Sequence, residues 1–360
     1  VIEFVRFFLS FIVLQSHIWP LNAPWTAWAS VFAFYTLSGF LMTRVLRERY
    51  GFGIRNIGVF ILNRVLRLWP AYLVVLGAIA ALLLAVPDSG HIYSLLRLPQ
   101  GRLDALANIT VLGLVGFDFT HEAHMTLTVG NAWSLSIEMF CYLLLGLYFA
   151  QSPARLWAFA VIGLLAMTWS TTVCAAQGPD SYKYYGLYCF QQRYGVLQAG
   201  FIPFAIGGLL QFHIHRLVPL VERWRWAIVA VGLASFAAIA LVPVLQFTIA
   251  PFVGSLLVSA AIAYSVGRDF HSGASDFFGR ASYHLFIAQW GIAGAFVQFT
   301  GLQKDTAALC LATLIASLAL SGVLVPLEHR VERLRRRLSP ATLTKGTADF
   351  SGAPLTAATR

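Results

Sequence analysis

Windows of apolar residues long enough to cross a membrane recur along this chain so densely that little sequence is left between them. They fall at about residues 4–20, 27–46, 65–86, 133–150, 156–176, 197–214, 227–244, 250–267, 281–301 and 307–326. One helix needs about 20 predominantly apolar residues to span a bilayer, so the chain is expected to be all-α and polytopic, with about ten transmembrane helices. Composition agrees, since 58% of the 360 residues are apolar and 11% are charged, against about 25% charged in a soluble domain. A water-soluble globule is excluded. No length remains for a second soluble domain, which leaves one integral-membrane domain over residues 1–338 and a disordered cytoplasmic tail over 339–360, rich in Thr, Ala, Ser and Pro.

The net charge of +10 would suggest nucleic acid in a soluble protein, but here it reports orientation. With the N-terminus in the cytoplasm and ten crossings, twenty of the 25 Lys and Arg residues fall on inner segments, and only Arg97, Arg102, Lys183, Arg193 and Lys304 fall outside. A further window at 105–119 carries Asn108 and Thr110 and is short. Counting it as a crossing would send Arg330, Arg333 and Arg335 to Arg337 outward, against the positive-inside bias. Both termini are therefore expected in the cytoplasm, with residues 87–132 as one outer loop holding a short re-entrant segment. Trp19, Trp25 and Trp28, at the first outer turn, suit a headgroup layer.

Cys141, Cys174, Cys189 and Cys310 have no zinc or CxxC spacing. They read as buried thiols, although Cys174 and Cys189 flank one outer loop and would pair in an oxidising compartment. His121-Glu122-Ala123-His124 misses the HExxH spacing by one residue, and no metal and no tightly bound cofactor is expected. Tyr182, Tyr184, Tyr185, Tyr188 and Tyr194 suit an interfacial belt or a sugar-stacking surface. No GxSxG elbow and no P-loop occur, so hydrolase-elbow and nucleotide-hydrolysis chemistries have no support.

Ionisable groups inside apolar spans are the functional candidates. His17 lies eleven residues after Arg6 in the first span, about 16 Å along a helix. It is either a general base or a histidine satisfied by a neighbouring helix. Arg64 and Arg67 share one helix face at i and i+3, where two guanidinium forks can grip a phosphate or simply anchor the helix. Glu138, within Trp133-Ser134-Leu135-Ser136-Ile137-Glu138, needs a partner, water or a proton, and His17 is the candidate that the outer half of the bundle offers.

These segments, in this order, resemble the integral-membrane acyltransferase-3 family, which includes bacterial O-acetyltransferases of lipopolysaccharide and exopolysaccharide. Glu3, Arg6 and His17 match the acid, arginine and histidine of its first helix. Phe34 to Leu41, with Ser38, match its Phe-x-x-Leu-Ser-Gly-Phe-Leu string; Arg64, Arg67, Pro70 and Tyr72 match its RxxR-x-x-Pro-x-Tyr; Trp133, Ser134, Ser136 and Glu138 match its Trp-Ser-Leu-Ser-x-Glu. Near the end, Ser282-Tyr283 keep the pattern, but Gln289 stands where the family often has histidine, and His284 is out of register to replace it. Glu328 resembles the family's late glutamate.

The resemblance implies transfer of an acyl group, most often acetyl, from cytoplasmic acyl-CoA as co-substrate to a glycan or lipid-linked saccharide hydroxyl at the bacterial inner membrane. Arg64 and Arg67, with Arg6, would hold the CoA phosphates. His17 would act as base or become transiently acylated, and Glu138 would orient it. Glu3, Ser38, Tyr72, Trp133, Ser134, Ser136 and Tyr283 would support them. A succinyl or longer-chain transferase would use the same residues. A transporter or flippase of a lipid-linked saccharide remains the competing class, because intramembrane polar groups also line transport paths.

Overall fold

The computed structural model describes residues 2–21, 23–86, 96–115, 126–175, 194–266, 268 and 273–338. Its elements are α1 (Ile2–Ile18), α2 (Trp25–Val45) continued by one π turn (Leu46–Tyr50), α3 (Ile54–Ala85), α4 (Arg102–Thr110) and α5 (Ala132–Leu147). Then follow α6 (Pro153–Ala175), α7 (Phe201–Leu241), α8 (Pro243–Thr248), α9 (Ala250–Ser265), α10 (Gly273–Thr300) and α11 (Ala307–Leu338). The protein is an all-α, multi-pass membrane protein. Among the described residues, five helical stretches are long and apolar enough to cross a bilayer on their own: Trp25–Tyr50, Ile54–Ala85, Pro153–Thr172, Leu197–Leu241 and Ala307–Arg335. Their outer faces show it. On α6, Trp157, Val161, Leu165 and Trp169 form an exposed apolar stripe at helical spacing, which lipid covers at no cost.

The less apolar helices lie inside. On α10, Ser282, His284 and Gln289 are buried beside Ala281, Leu285, Ile287 and Ala288. This helix runs parallel to α1, with Phe7 on Phe278, Ser10 Oγ donating to the Ser282 carbonyl (2.7 Å) and His17 against Trp290. Helix α3 takes the same direction, because Tyr283 meets Leu68 while Gly291 meets Ile79. Helices α2 and α5 run together the other way, joined at Tyr35 with Ser134 and at Ser38 with Glu138.

The spans expected at 197–214 and 227–244 are not separated by a loop. They form one helical run, α7, of 41 residues, which would be about 60 Å long if straight. It is not straight. Phe204 packs on Tyr35, Phe212 lies under Arg47 and Phe236 stacks on Trp25. A rod would put Phe204 and Phe236 on opposite sides of Phe212, yet both lie toward the Trp25 end of α2. The direction therefore reverses after Phe212, in the stretch that contains Pro219, a residue that bends helices by removing a hydrogen bond and crowding the preceding turn. Both crossings survive, with a helical elbow in place of the loop. The return arm is antiparallel to α9, with Gly232 on Leu257 and Glu222 on Arg268.

Glycines set the closest approach. A Cβ on Gly39 would lie 2.8 Å from the Phe204 Cα, and one on Gly207 would lie 2.6 Å from the Phe40 nitrogen and closer still to the Thr36 carbonyl oxygen. Helices α2 and the first arm of α7 thus touch backbone to backbone, the small-residue packing that membranes favour in the absence of a hydrophobic drive between helices.

The segment between α3 and α5 holds the short helix α4, which docks on the middle of α3. Tyr72 donates to the Asn108 carbonyl (2.6 Å) and Trp69 Nε1 to the Ile109 carbonyl (3.0 Å). Leu103, Leu106, Ile109 and Leu112 stay exposed on its far side. Two buried side chains pin it: Asp104 accepts from the Gln100 and Thr126 amides, and Asn108 bridges the Thr126 carbonyl and the Thr128 amide. The helix ends at Val111, held in the left-handed region at φ 62°. The loop residues 118–124, Tyr182 to Tyr188, Cys189 and the tail from 339 lie outside the described residues. Cys141 and Cys310 are buried free thiols.

Candidate active site

Five helices, α1, α2, α3, α5 and α10, surround one cavity that encloses about 800 Å³ including its open mouth. Its charged lining is Arg6 from α1, Arg64 and Arg67 from α3, and Glu138 from α5; its hydroxyls are Ser10, Tyr35, Ser38, Ser134, Tyr142, Ser282 and Tyr283. Three guanidinium groups therefore face one carboxylate.

Each arginine is positioned differently. Arg6 pairs with Glu3 one turn back at 3.6 Å. Arg64 is buried at 7% exposure, lies 5.6 Å over the Phe60 ring and keeps an Nε without a hydrogen-bond partner. Arg67, one turn on, is exposed, and both Arg6 and Arg64 are within electrostatic reach of it. Among the described residues, neither Arg64 nor Arg67 makes a salt bridge. Like charges held together in a low-dielectric wall are unfavourable unless an anion completes the site. Arg335, near the end of α11, also lies within electrostatic reach of Arg64; as one of several arginines in the tail cluster, nothing in the sequence singled it out.

Glu138 is not where the sequence placed it. Ser38 Oγ donates to its Oε1 at 2.6 Å, and the Tyr142 hydroxyl donates to the same oxygen. Ser38 lies thirteen residues into α2 from Trp25, so the carboxylate sits well inside the bundle, within electrostatic reach of Arg64. The expected contact with His17 is absent among the described residues. That expectation rested on both residues lying toward the outer face; the rotation of α5 instead turns the carboxylate onto α2 and its own next turn.

His17 lies beyond the cavity and does not line it. Its ring is 4.9 Å from that of Trp290, tilted by 32°, and Gln289 stands within hydrogen-bonding reach of it. Phe286, which lines the cavity, lies edge-on to Phe34 at 5.9 Å, and its carbonyl accepts from Asn131 Nδ2.

The remaining candidates divide by place. Ser38, Ser134 and Tyr283 line the cavity, and Tyr283 donates to the Leu68 carbonyl at 3.0 Å, close to Pro70. Glu3 lies behind Arg6. Tyr72 holds α4 and lies away from the cavity. Trp133 is half-buried and Ser136 is buried, both outside the lining. His284 is wholly buried with Nε2 3.1 Å from Glu328, which also lies 4.0 Å from Arg280, so that group ties α10 to α11. Of the lining hydroxyls, sequence reasoning did not single out Ser10, Tyr35, Tyr142 or Ser282. Tyr142 was visible as the i+4 neighbour of Glu138 and Ser282 as the residue before Tyr283.

An acyltransferase-domain family model, that of acyltransferase-3, matches residues 1–325. The chain belongs to the acyltransferase-3 family. No curated protein and no solved structure matches it. The acyltransferase-3 match ends ahead of Glu328 and Arg335, and covers every cavity residue together with His17 and Gln289.

Proposed function

We propose that this membrane acyltransferase moves an acetyl group from cytoplasmic acetyl-CoA to a hydroxyl of a cell-surface or exported glycan at the bacterial inner membrane. The observation that carries the reading is the cavity in which Arg6, Arg64 and Arg67 outnumber a single carboxylate. Its arginines lie at the end of the bundle where basic residues concentrate, and guanidinium forks suit the phosphates of CoA. With the phosphates there, the thioester arm extends along α1 toward His17, about 16 Å away by helical rise.

His17 removes the proton of the acceptor hydroxyl, the oxygen attacks the thioester carbonyl, the carbon–sulfur bond breaks, and the proton passes to the departing thiolate. Glu138 acts at the arginine end, where it balances Arg64 and fixes the α2–α5 contact. The test is transfer of radiolabelled acetyl from acetyl-CoA to a crude glycan fraction by the purified protein. Wild type should label the glycan, His17→Ala should lower the rate by roughly 10²- to 10⁴-fold, as loss of a general base does, and Arg67→Ala should raise KM for acetyl-CoA. Saccharide translocation by wild type in the absence of acyl-CoA, with no label transferred, would establish the transport class instead.

A further inference from the structure

Two buried polar atoms near the outer end of α1 have no aligned hydrogen-bond partner: His17 Nδ1 and Gln289 Oε1. They belong to neighbouring side chains, since Gln289 is within hydrogen-bonding reach of the imidazole, and Gln289 is wholly buried at 0% exposure. A buried amide oxygen with no donor is unfavourable, so the pair calls for an account.

The orientation of the amide supplies it. Gln289 Nε2 lies 3.0 Å from the Phe286 carbonyl. A carbonyl only accepts, so the nitrogen must face it, and the amide cannot be flipped without setting oxygen against oxygen. The atom left for the imidazole is therefore an acceptor. An acceptor there requires that the ring nitrogen facing it carry hydrogen, and the unmatched ring nitrogen is Nδ1. The frame around this contact is rigid. Asn131 Nδ2 donates to the same Phe286 carbonyl at 2.7 Å, Asn131 Oδ1 accepts from Trp290 Nε1 at 3.1 Å, and the Trp290 ring covers the imidazole.

We infer that Gln289 is the positioning residue of His17: anchored through Nε2 on the Phe286 carbonyl, it accepts a hydrogen bond from Nδ1–H and so presents the bare Nε2 of the imidazole to the acceptor hydroxyl. The hydrogen bond that a second residue makes to one ring nitrogen sets which nitrogen is the base, and Gln289 does here what the sequence assigned to Glu138. The inference rests on the reading of His17 as the base. The contact tightens when substrate closes the site, as catalytic hydrogen bonds do between the free and the loaded enzyme.

The test is nitrogen NMR of the full-length protein labelled at histidine, in detergent above neutral pH, with the His17 signals assigned by their loss in His17→Asn. Wild type should show His17 protonated at Nδ1. Gln289→Met should shift it toward the Nε2-protonated form, and Glu138→Gln should leave the tautomer as in wild type. In the acetyl-transfer assay Gln289→Met should lower kcat by between about 10-fold and ~10⁴-fold, the upper figure being what a mis-set histidine tautomer has cost in another enzyme, with KM for acetyl-CoA within about twofold. An Nε2-protonated His17 in wild type overturns the inference even if the variant does not fold, as does a tautomer that Gln289→Met leaves unchanged. If wild type transfers no acetyl and the tautomer still follows Gln289, the proposed function fails and the positioning of His17 stands.

Discussion

Truncating Ser38 and Glu138 together should reveal a coupling that neither single variant shows. Their contact is short at 2.6 Å, joins α2 to α5, and ends on a carboxylate oxygen that also accepts from Tyr142. Interhelical hydrogen bonds within membranes average about 0.6 kcal/mol and reach about 1.7, whereas bonds to charged groups in proteins contribute about 1.5–3 kcal/mol. Sharing one oxygen between two donors, beside an open cavity, places this bond near the overlap, at about 1–2 kcal/mol. Ser38→Ala should lose about that much stability. Glu138→Ala should lose about 2–4 kcal/mol, because it orphans two hydroxyls. The double variant should fall short of the sum by about 1–2 kcal/mol. The measurement is reversible unfolding in mixed micelles, followed by loss of helicity, for the wild type, both single variants and the double variant. A coupling under about 0.3 kcal/mol, the scatter of independent sites, would refute the assignment of Glu138 to the α2–α5 contact.

Three further outcomes follow from the same geometry. Gly207→Ala sets a methyl group against the backbone of Thr36 and Phe40, and should cost at least the roughly 1–3 kcal/mol of an overpacked core in the same unfolding assay; wild-type stability would mean that α2 and α7 can slide apart. Asn108→Ala removes the bonds to the Thr126 carbonyl and Thr128 amide. Hydrogen exchange at those residues should speed up by roughly 10- to 100-fold, matching about 1–3 kcal/mol for unpaired buried groups, while exchange in α10 should not change. Gly279→Ala places its methyl on the Glu3 carboxylate. That side chain is 38% exposed and can swing away, so stability should hold to within about 0.5 kcal/mol, while CoA binding, read by titration, should tighten by up to about fivefold as Arg6 loses its exposed partner; weaker binding would show that Glu3 aims Arg6 rather than neutralising it.

What the sequence disclosed follows from which properties are one-dimensional. The apolar windows, the Arg64/Arg67 pair and the short polar segment at 105–119 are each set by local composition or by i, i+3 spacing, and the helices appear where those features lie. Contacts across helices depend on rotation about their axes. Glu138 was recognisable as needing a partner, but whether it turned toward His17 or Ser38 was decided by packing between α2 and α5. Gln289 looked like the loss of a histidine, because nothing in a linear string says that its amide would be fixed by a carbonyl three residues earlier and left facing the ring of another helix. The elbow in α7 escaped for the opposite reason: His213 to Arg225 is polar enough to read as a loop, yet its backbone bonds remain helical through the turn.

That elbow ties two crossings to one depth. It exposes Trp224 and Trp226, each with its neighbouring arginine 5.6–5.9 Å from the ring, the side chains that settle at the headgroup layer. Because the arms on either side are continuous with it, neither can adjust its tilt to a thicker or thinner bilayer without moving the other. The first arm is the one whose Gly207 and Phe204 lock onto α2, and α2 carries Ser38 and Tyr35 into the cavity. Lipid thickness is thereby coupled to the wall of the site: in vesicles of graded acyl-chain length, the shape of the cavity should respond to the hydrocarbon span, although none of its lining residues faces the lipid at the elbow.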